Sequence, residues 1–306
     1  MSSLREVKDR IDSVRSTLKI TSAMKLVASS KLRKAQRAIE AMRPYQEELE
    51  GILNEVLLQK GIQTETFSGQ GNILDPNVLD RNSPDRNPQP VILLAISSNS
   101  SMCGAFNSNV IKKVTQTIKE LSAGGLEVQV WSFGRKMTDA LRKNGTPAAR
   151  EYSTLVARPD FGTVAEIAAE LRTLHACGKV TETTMIYNHF VSTGRQQVVA
   201  ESLFLDGVQS ADYESDEELP ATGRGYIFEP SRAELVESLM PMVGNLSLYT
   251  ALLDSAAAEH AARMVAMQAA TDNGEQLLAE LTLEYNKGRQ QKITSEILDL
   301  TAGAAV

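Results

Sequence analysis

The sequence has few cysteines, few aromatic residues and no long apolar run. Cys103 and Cys177 are too far apart for a CxxC motif, so neither a zinc site nor a disulfide framework is expected. The longest apolar run, Val91–Ile96, is far shorter than the roughly 20 residues of a membrane-spanning helix. Because no disulfide framework is expected, a reducing compartment is the default. The charges close to the N-terminus are unlike a signal peptide.

Proline is absent from residues 252–306, where small or apolar residues recur in alternating steps of three and four. The repeating positions are Leu253, Ala257, His260, Met264, Met267, Thr271, Gly274, Leu278, Leu281, Tyr285 and Gly288. A heptad pattern of this length predicts a long helix that packs against a partner helix.

The beginning of the chain has the same pattern. Its heptad positions are Leu4, Val7, Ile11, Val14 and Leu18. The strict phase would next place Lys25 on the apolar stripe, so we expect the stripe to move to Ile20, Met24 and Val27. The N- and C-terminal helices are expected to pair with each other, and the longer C-terminal helix then has a tip that must pack elsewhere.

Local signals predict the limits of these helices. Ser3 and Glu6 have the spacing of a capping box at the start of the first helix. Pro44 should kink or interrupt that helix, since proline lacks the backbone donor. Breaks are expected in the last helix at Pro241 and Gly244.

The middle of the chain alternates strand and helix patterns. Strands are expected at Val91–Ile96, 126–133, 184–191 and 196–205, and helices at 106–121, Arg135–Lys143 and 161–177. This alternation predicts a largely parallel sheet, with the last two strands paired across residues 192–194.

The predicted fold class is α plus α/β, an antiparallel coiled coil of the N- and C-terminal helices with an inserted Rossmann-like α/β domain. The first coiled-coil helix is assigned to residues 1–58 and a Gly- and Pro-rich linker to 59–90. The α/β domain is assigned to 91–205, an acidic mobile loop to 206–230 and the long C-terminal helix to 231–306.

No constellation of residues indicates catalysis, a metal or a cofactor. The loop at residues 97–104 follows a strand and precedes a helix, where an anion can bind, but it lacks GxGxxG and P-loop motifs. A structural turn is therefore favoured over a nucleotide site. Cys103 has no activating neighbour in the sequence and is predicted to be buried rather than nucleophilic.

Charge and polarity suggest contact surfaces without identifying them. Residues 1–43 contain eleven Lys or Arg against four Asp or Glu, whereas the net charge of the whole chain, −6, argues against a nucleic-acid partner. Polar residues at 286–294 interrupt the apolar stripe near the end of the last helix. Each of these surfaces is either solvated or a docking site for another protein.

Four stretches resemble the γ subunit family of rotary F-type ATP synthases. They are KITSAMKLVASSKLRKAQ at residues 19–36, CGAFN at 103–107, EHAARMVAMQAATDN at 259–273 and YNKGRQQKITSEI at 285–297. The resemblance implies a central-stalk rotor subunit that couples ion-driven rotation of the c ring to ATP synthesis or hydrolysis in the α3β3 ring. It implies a non-catalytic subunit of a proton-transporting two-sector ATPase, without a cofactor.

The partners implied by the resemblance are the α and β subunits, the ε subunit and the c ring. The membrane would be reached only through this complex. The chain lacks the close cysteine pair of the chloroplast regulatory insertion, so the implied form is bacterial and lies at the cytoplasmic face of the inner membrane. The alternative is a nucleotide-binding α/β enzyme with a coiled-coil docking arm.

Particular residues match the family's contact motifs. Subunit coupling contacts are implied for Met24, Lys25, Arg289, Gln290 and Thr294, and contacts with an acidic lever of the β subunit for Lys31, Arg33, Lys34 and Arg37. The family usually has SDRGLCG where this chain has SNSSMCG at residues 98–104. The acid, the base and the first glycine are absent, so a charged contact from this loop is not expected.

Overall fold

The computed structural model describes residues 4–58, 89–203 and 232–303. They divide into two compact units, one from residues up to Ser30 and from Arg263 onward, the other from Lys31–Ala262. We call the first the terminal helix pair and the second the central unit. All but the last two residues of the expected linker 59–90 lie outside the described residues, as do the acidic segment 206–230 and Ser3.

One long helix opens the described chain and another closes it. Helix α1 spans Leu4–Leu58 and helix α6 spans Arg232–Gly303. The expected interruption at Pro44 and the expected breaks at Pro241 and Gly244 are wrong, because each residue lies inside a continuous helix. A proline in a helix interior costs about 3 kcal/mol, so both prolines need compensating contacts.

Those contacts lie within the central unit. A buried apolar cluster joins the segments around Pro44 and Pro241, and it contains Leu49, Leu53, Val236, Val243 and Leu246. At Pro241, the guanidinium of Arg172 donates to the proline carbonyl at 3.3 Å and to Oδ1 of Asn245 at 2.7 Å. Apolar burial, and at Pro241 also these hydrogen bonds, offset the cost of the prolines.

In the terminal helix pair, α1 and α6 run antiparallel in a constant register. A β-carbon on Gly288 would lie 3.1 Å from Cδ2 of Leu4, and one on Gly274 would lie 2.7 Å from Cδ2 of Leu18. Both the leucines and the glycines are fourteen residues apart, which is two heptads, and their order is reversed between the helices. The predicted antiparallel coiled coil is confirmed.

The contact surface of this pair consists of residues from both heptad patterns. Its buried cluster contains Val7, Ile11 and Leu281, against which Val14, Leu278 and Tyr285 pack. All six were predicted on the apolar stripes, because residues three and four apart lie on one face of a helix.

The apolar stripe of α1 does not shift as expected. Ile20 is 59% and Val27 is 57% exposed, whereas Ala28 is buried. Thr21 keeps the strict heptad phase, and its hydroxyl forms a hydrogen bond with the hydroxyl of Thr271 at 3.1 Å. Thr21 can stay on the strict phase because its hydroxyl has a hydrogen-bonding partner on the facing helix.

The central unit contains a five-stranded sheet. Its strands are β1 Val91–Ile96, β2 Val128–Phe133, β3 Arg150–Glu151, β4 Thr183–Ser192 and β5 Arg195–Ser202. Their order is β3-β2-β1-β4-β5, with parallel pairing from β3 to β4 and antiparallel pairing of β4 with β5. The predictions of a largely parallel sheet and a terminal hairpin are confirmed.

Helices cover both faces of this sheet. They are α2 Phe106–Ala123, α3 Arg135–Lys143, α4 Ser153–Ala157 and α5 Phe161–Ala176. Alternate residues of β1 point to opposite faces. Ile92 and Leu94 therefore pack with residues of α5 and α6, whereas Val91 and Leu93 pack with residues of α2 and α3. None of the described helices is long and apolar enough to cross a membrane.

Candidate functional site

The end of α6 extends beyond the described part of α1. Leu4, where α1 begins, contacts the position of Gly288, so residues of α6 after Gly288 have no described α1 residue opposite them. Every residue from Arg289 to Leu298 is exposed. We call residues 289–298 the α6 tip.

Polar and apolar side chains follow each other in rows along the α6 tip. Ile293 lies four residues after Arg289, and Thr294 lies four residues after Gln290. Residues four apart lie above one another on a helix, so both rows begin with a polar group. Ile297 and Leu298 continue these rows as exposed apolar side chains. The tip thus presents hydrogen-bonding groups and apolar side chains next to each other.

Arg289, Gln290 and Thr294 differ in what they can offer. The hydroxyl of Thr294 donates to the carbonyl of Gln290 at 2.9 Å, so its proton is used within the helix. The side chains of Arg289 and Gln290 are exposed, and a guanidinium and an amide are the groups best suited to bind a carboxylate or backbone carbonyls.

The structure does not bring Met24 and Lys25 together with this tip. Thr21, one turn earlier in α1, bonds to Thr271 of α6. Thr271 is eighteen residues before Arg289, about 27 Å along a helix with a rise of about 1.5 Å per residue. Met24 and Lys25 are both half-buried. They therefore lie at a different position along the terminal helix pair, far from the α6 tip.

The predicted basic contacts lie in the central unit. Lys31, Arg33, Lys34 and Arg37 are all exposed on α1. Within the described residues, none of the four has an acidic partner within ion-pair distance. Lys31, Lys34 and Arg37 follow each other at intervals of three and share one side of the helix. A continuous basic strip of this kind suits an acidic protein surface.

The motif CGAFN closes the loop that follows β1. Cys103 and Phe106 are buried, which confirms the prediction for the cysteine. The side chain of Asn107 accepts a hydrogen bond from the backbone of Ser98 at 3.0 Å and donates to Cys103 Sγ at 3.1 Å. The polar groups of this loop thus bond to each other. The motif holds the end of β1 to the start of α2.

One buried polar site was not predicted from the sequence. Asp254 of α6 is buried, and its carboxylate accepts hydrogen bonds from the His189 ring and from the Phe190 backbone. The signal was an acid within the apolar and small-residue run ALLDSAAA, residues 251–258. In the described part of the chain, no three His, Cys, Asp or Glu side chains are grouped to hold a metal ion.

The fold and the α6 tip define a class of protein in which the two chain ends pair as an antiparallel coiled coil and the middle forms an α/β sheet. A sequence model of the family described as ATP synthase matches residues 3–306. The ATP synthase gamma chain of Bacteroides fragilis is 42% identical over 305 residues, which cover 99% of both chains. This chain belongs to the ATP synthase γ chain family.

Other relatives and solved structures agree. The gamma chain of Flavobacterium psychrophilum is 40% identical over 304 residues, 99% of this chain and 98% of that one. A chain of the Euglena gracilis mitochondrial ATP synthase, in an assembly of OSCP, F1 and c-ring, has a similar fold with a TM-score of 0.68. It is 18% identical, and the match covers 99% of this chain and 93% of that one. At this identity the structural match supports the fold alone.

Proposed function

We propose that this chain is the central-stalk rotor subunit of an ATP synthase. Ion flow turns a c ring, the chain turns with it, and its surface drives the β subunits of an α3β3 ring through successive nucleotide affinities. The observation that carries this proposal is the α6 tip, a helix end with exposed polar and apolar rows that extends beyond its described partner in the chain.

The chain itself is non-catalytic in this proposal. Its contribution is a surface that differs from one side of the helix pair to the other. A β subunit facing a different side of the helix pair makes different contacts and has a different affinity for nucleotide. By linkage the coupling is reciprocal, so nucleotide hydrolysis can turn the rotor in the opposite direction.

Both units contact the β subunit and differ in their other partners. The terminal helix pair binds the α and β subunits through Met24, Lys25, Arg289, Gln290 and Thr294. The basic strip of Lys31, Lys34 and Arg37, together with the neighbouring Arg33, meets an acidic lever of the β subunit, and the α/β sheet region binds the ε subunit and the c ring. The complex holds the chain at the cytoplasmic face of a bacterial inner membrane, as a peripheral protein.

Assembly with purified α and β subunits tests this function. We expect the chain to form a stable complex that hydrolyses ATP, whereas the chain alone shows no turnover. Size-exclusion chromatography and a coupled ATPase assay measure both. Failure of the chain to bind α and β, under conditions in which a known γ chain binds them, would contradict the proposal.

Removing the polar groups of the α6 tip is expected to impair coupling. A hydrogen bond to a charged partner contributes about 1.5–3 kcal/mol, so Arg289→Ala should lower ATP-driven proton pumping roughly tenfold or more. Gln290→Ala should have a smaller effect in the same direction. Because both side chains are exposed, the free energy of unfolding of each free variant chain should lie within about 0.5 kcal/mol of the wild-type value.

Ser295→Ala is the matched control, since Ser295 is exposed on the same tip and outside the predicted contact set. It should pump at nearly the wild-type rate. Wild-type pumping by both Arg289→Ala and Gln290→Ala would remove these two residues from the coupling surface.

A further inference from the structure

Asp254 joins α6 to the sheet through both of its carboxylate oxygens. Oδ2 forms a short hydrogen bond with Nδ1 of His189, and Oδ1 accepts from the backbone N–H of Phe190 at 3.1 Å. The side chain of Asp254 is only 11% exposed, and that of His189 is 49% exposed. One buried acid thus holds two consecutive residues of β4.

The position of this contact follows from the sheet register. Ile186 is the last residue of β4 that pairs with β1, but β4 continues to Ser192. Beyond Ile186 the backbone groups on that edge of β4 lack a neighbouring strand and need other partners. Asp254 supplies an acceptor to Phe190, as a strand carbonyl would.

Apolar contacts flank Asp254 on α6, whereas the directed hydrogen bonds from Arg172 of α5 reach Pro241 and Asn245, nine or more residues earlier in the helix. Leu248, Ala251 and Leu252 belong to the cluster on one face of the sheet, and Ala258 packs with Cys103 and Phe106. Apolar contacts are non-directional. They hold the helix against the sheet but resist its rotation or sliding only weakly. A buried carboxylate with two directed hydrogen bonds favours one rotation and one axial position of the helix, as buried polar groups do where they set the register of coiled coils.

We propose that Asp254 is the positioning residue that fixes the angle of α6 against the sheet, so that torque passes between them without slip. This inference rests on the proposed rotor function. It identifies a point within the central unit at which rotation of the sheet region is transmitted to the helix. His189 and the Phe190 backbone are the groups through which Asp254 acts.

Charged groups from three elements face His189. They are Asp254 from α6, Glu201 from β5 and Arg43 from α1. The hydrogen bond to Asp254 raises the pKa of His189 most, burial lowers it, the charges of Asp254 and Glu201 raise it, and Arg43 lowers it. The net direction is upward. Because the folded pKa lies above the unfolded one, the stabilisation is complete below about pH 6.5 and is lost as the pH rises through the folded pKa.

Three variants of the assembled enzyme test the inference. Asp254→Ala removes both hydrogen bonds, Asp254→Asn can keep both but loses the charge, and Glu237→Gln removes one charge from an exposed position of the same helix. For Asp254→Ala we expect at least a threefold loss of protons pumped per ATP in membrane vesicles. ATP hydrolysis by its soluble α3β3γ complex should remain within about twofold of wild type. Asp254→Asn should recover most of the coupling, and Glu237→Gln should match wild type.

A pH profile separates positioning from mere packing. The difference in Tm of the full chain between wild type and Asp254→Asn should be larger at pH 6 than at pH 9. A difference independent of pH would contradict the charged bridge to His189.

Hydrogen exchange of the full chain gives a local measurement that does not depend on assembly. The Phe190 amide should exchange at least tenfold faster in Asp254→Ala, while the amides of β2 stay unchanged. Wild-type coupling and wild-type exchange at Phe190 in Asp254→Ala would overturn the inference and leave the rotor function intact. A wild-type complex that hydrolyses ATP without pumping would instead overturn the rotor function.

Discussion

Gly134→Ala is expected to destabilise the central unit by more than about 3 kcal/mol, through backbone strain and a clash. Gly134 has a φ of 104°, and a β-carbon there would lie 2.3 Å from the carbonyl oxygen of Ser97 and 2.7 Å from its Oγ. This glycine connects β2 to α3 beside the end of β1. The nearest atom belongs to the backbone and cannot rotate away, so the ends of the two strands would have to separate.

The hydrogen bonds that would be broken lie at the ends of β1 and β2 and at the start of α3. The backbone N–H of Ser97 donates to the Phe133 carbonyl at 2.7 Å, and the backbone N–H of Met137 donates to Ser97 Oγ at 2.9 Å. Separating the strands leaves buried donors without acceptors, which costs about 1–3 kcal/mol for each group. The clash therefore adds to the strain of an unfavourable φ.

Gly145→Ala is the matched control for this experiment. Gly145 has a φ of 77°, but a β-carbon there would meet nothing within 4 Å. Only the strain remains, about 1–2 kcal/mol. Thermal unfolding of the full chain by calorimetry should show a much lower Tm for Gly134→Ala than for Gly145→Ala. Equal shifts would contradict the clash with Ser97.

The elements with a clear period could be predicted from the sequence, and the others could not. Val91–Ile96 and Arg135–Lys143 were predicted with the limits that the structure shows. Strand β3 has two residues and helix α4 has five, which is too short for any period to appear. Local rules also failed at Pro44 and Pro241, where contacts distant in the sequence compensate for the lost backbone bonds.

The candidate site also has features that the sequence pattern predicts and features that it does not. Heptad spacing predicted a helix end without a partner in the chain, whereas the roles of Arg289 and Gln290 came only from the resemblance. Asp254 was missed because its partners, His189 and Phe190, are more than sixty residues away in the sequence. A sequence pattern can place an acid on a buried face, but it does not show which strand edge needs an acceptor.

Leu281→Ala is expected to weaken the terminal helix pair by about 2–3 kcal/mol, whereas Leu283→Ala should change the stability of the free chain by less than about 0.5 kcal/mol. Leu281 is 8% exposed and packs with Val7 and Ile11, but Leu283 is 73% exposed. The estimate for Leu281 is at the low end for leucine because a two-helix contact can partly close around the missing atoms.

The same pair of variants separates the stability of the rotor from its contacts. In chemical denaturation followed by circular dichroism of the helices, Leu281→Ala should unfold at the lowest denaturant concentration. Leu283→Ala and wild type should unfold together at a higher one. In the assembled enzyme, Leu281→Ala should lower proton pumping because a looser helix pair transmits less torque. Leu283→Ala can lower pumping only through a lost contact with the ring, since its stability is unchanged. The register set by the contacts of Leu4 with Gly288 and of Leu18 with Gly274 places Leu281 inside the helix pair and Leu283 outside it. Equal destabilisation by both substitutions would contradict this register.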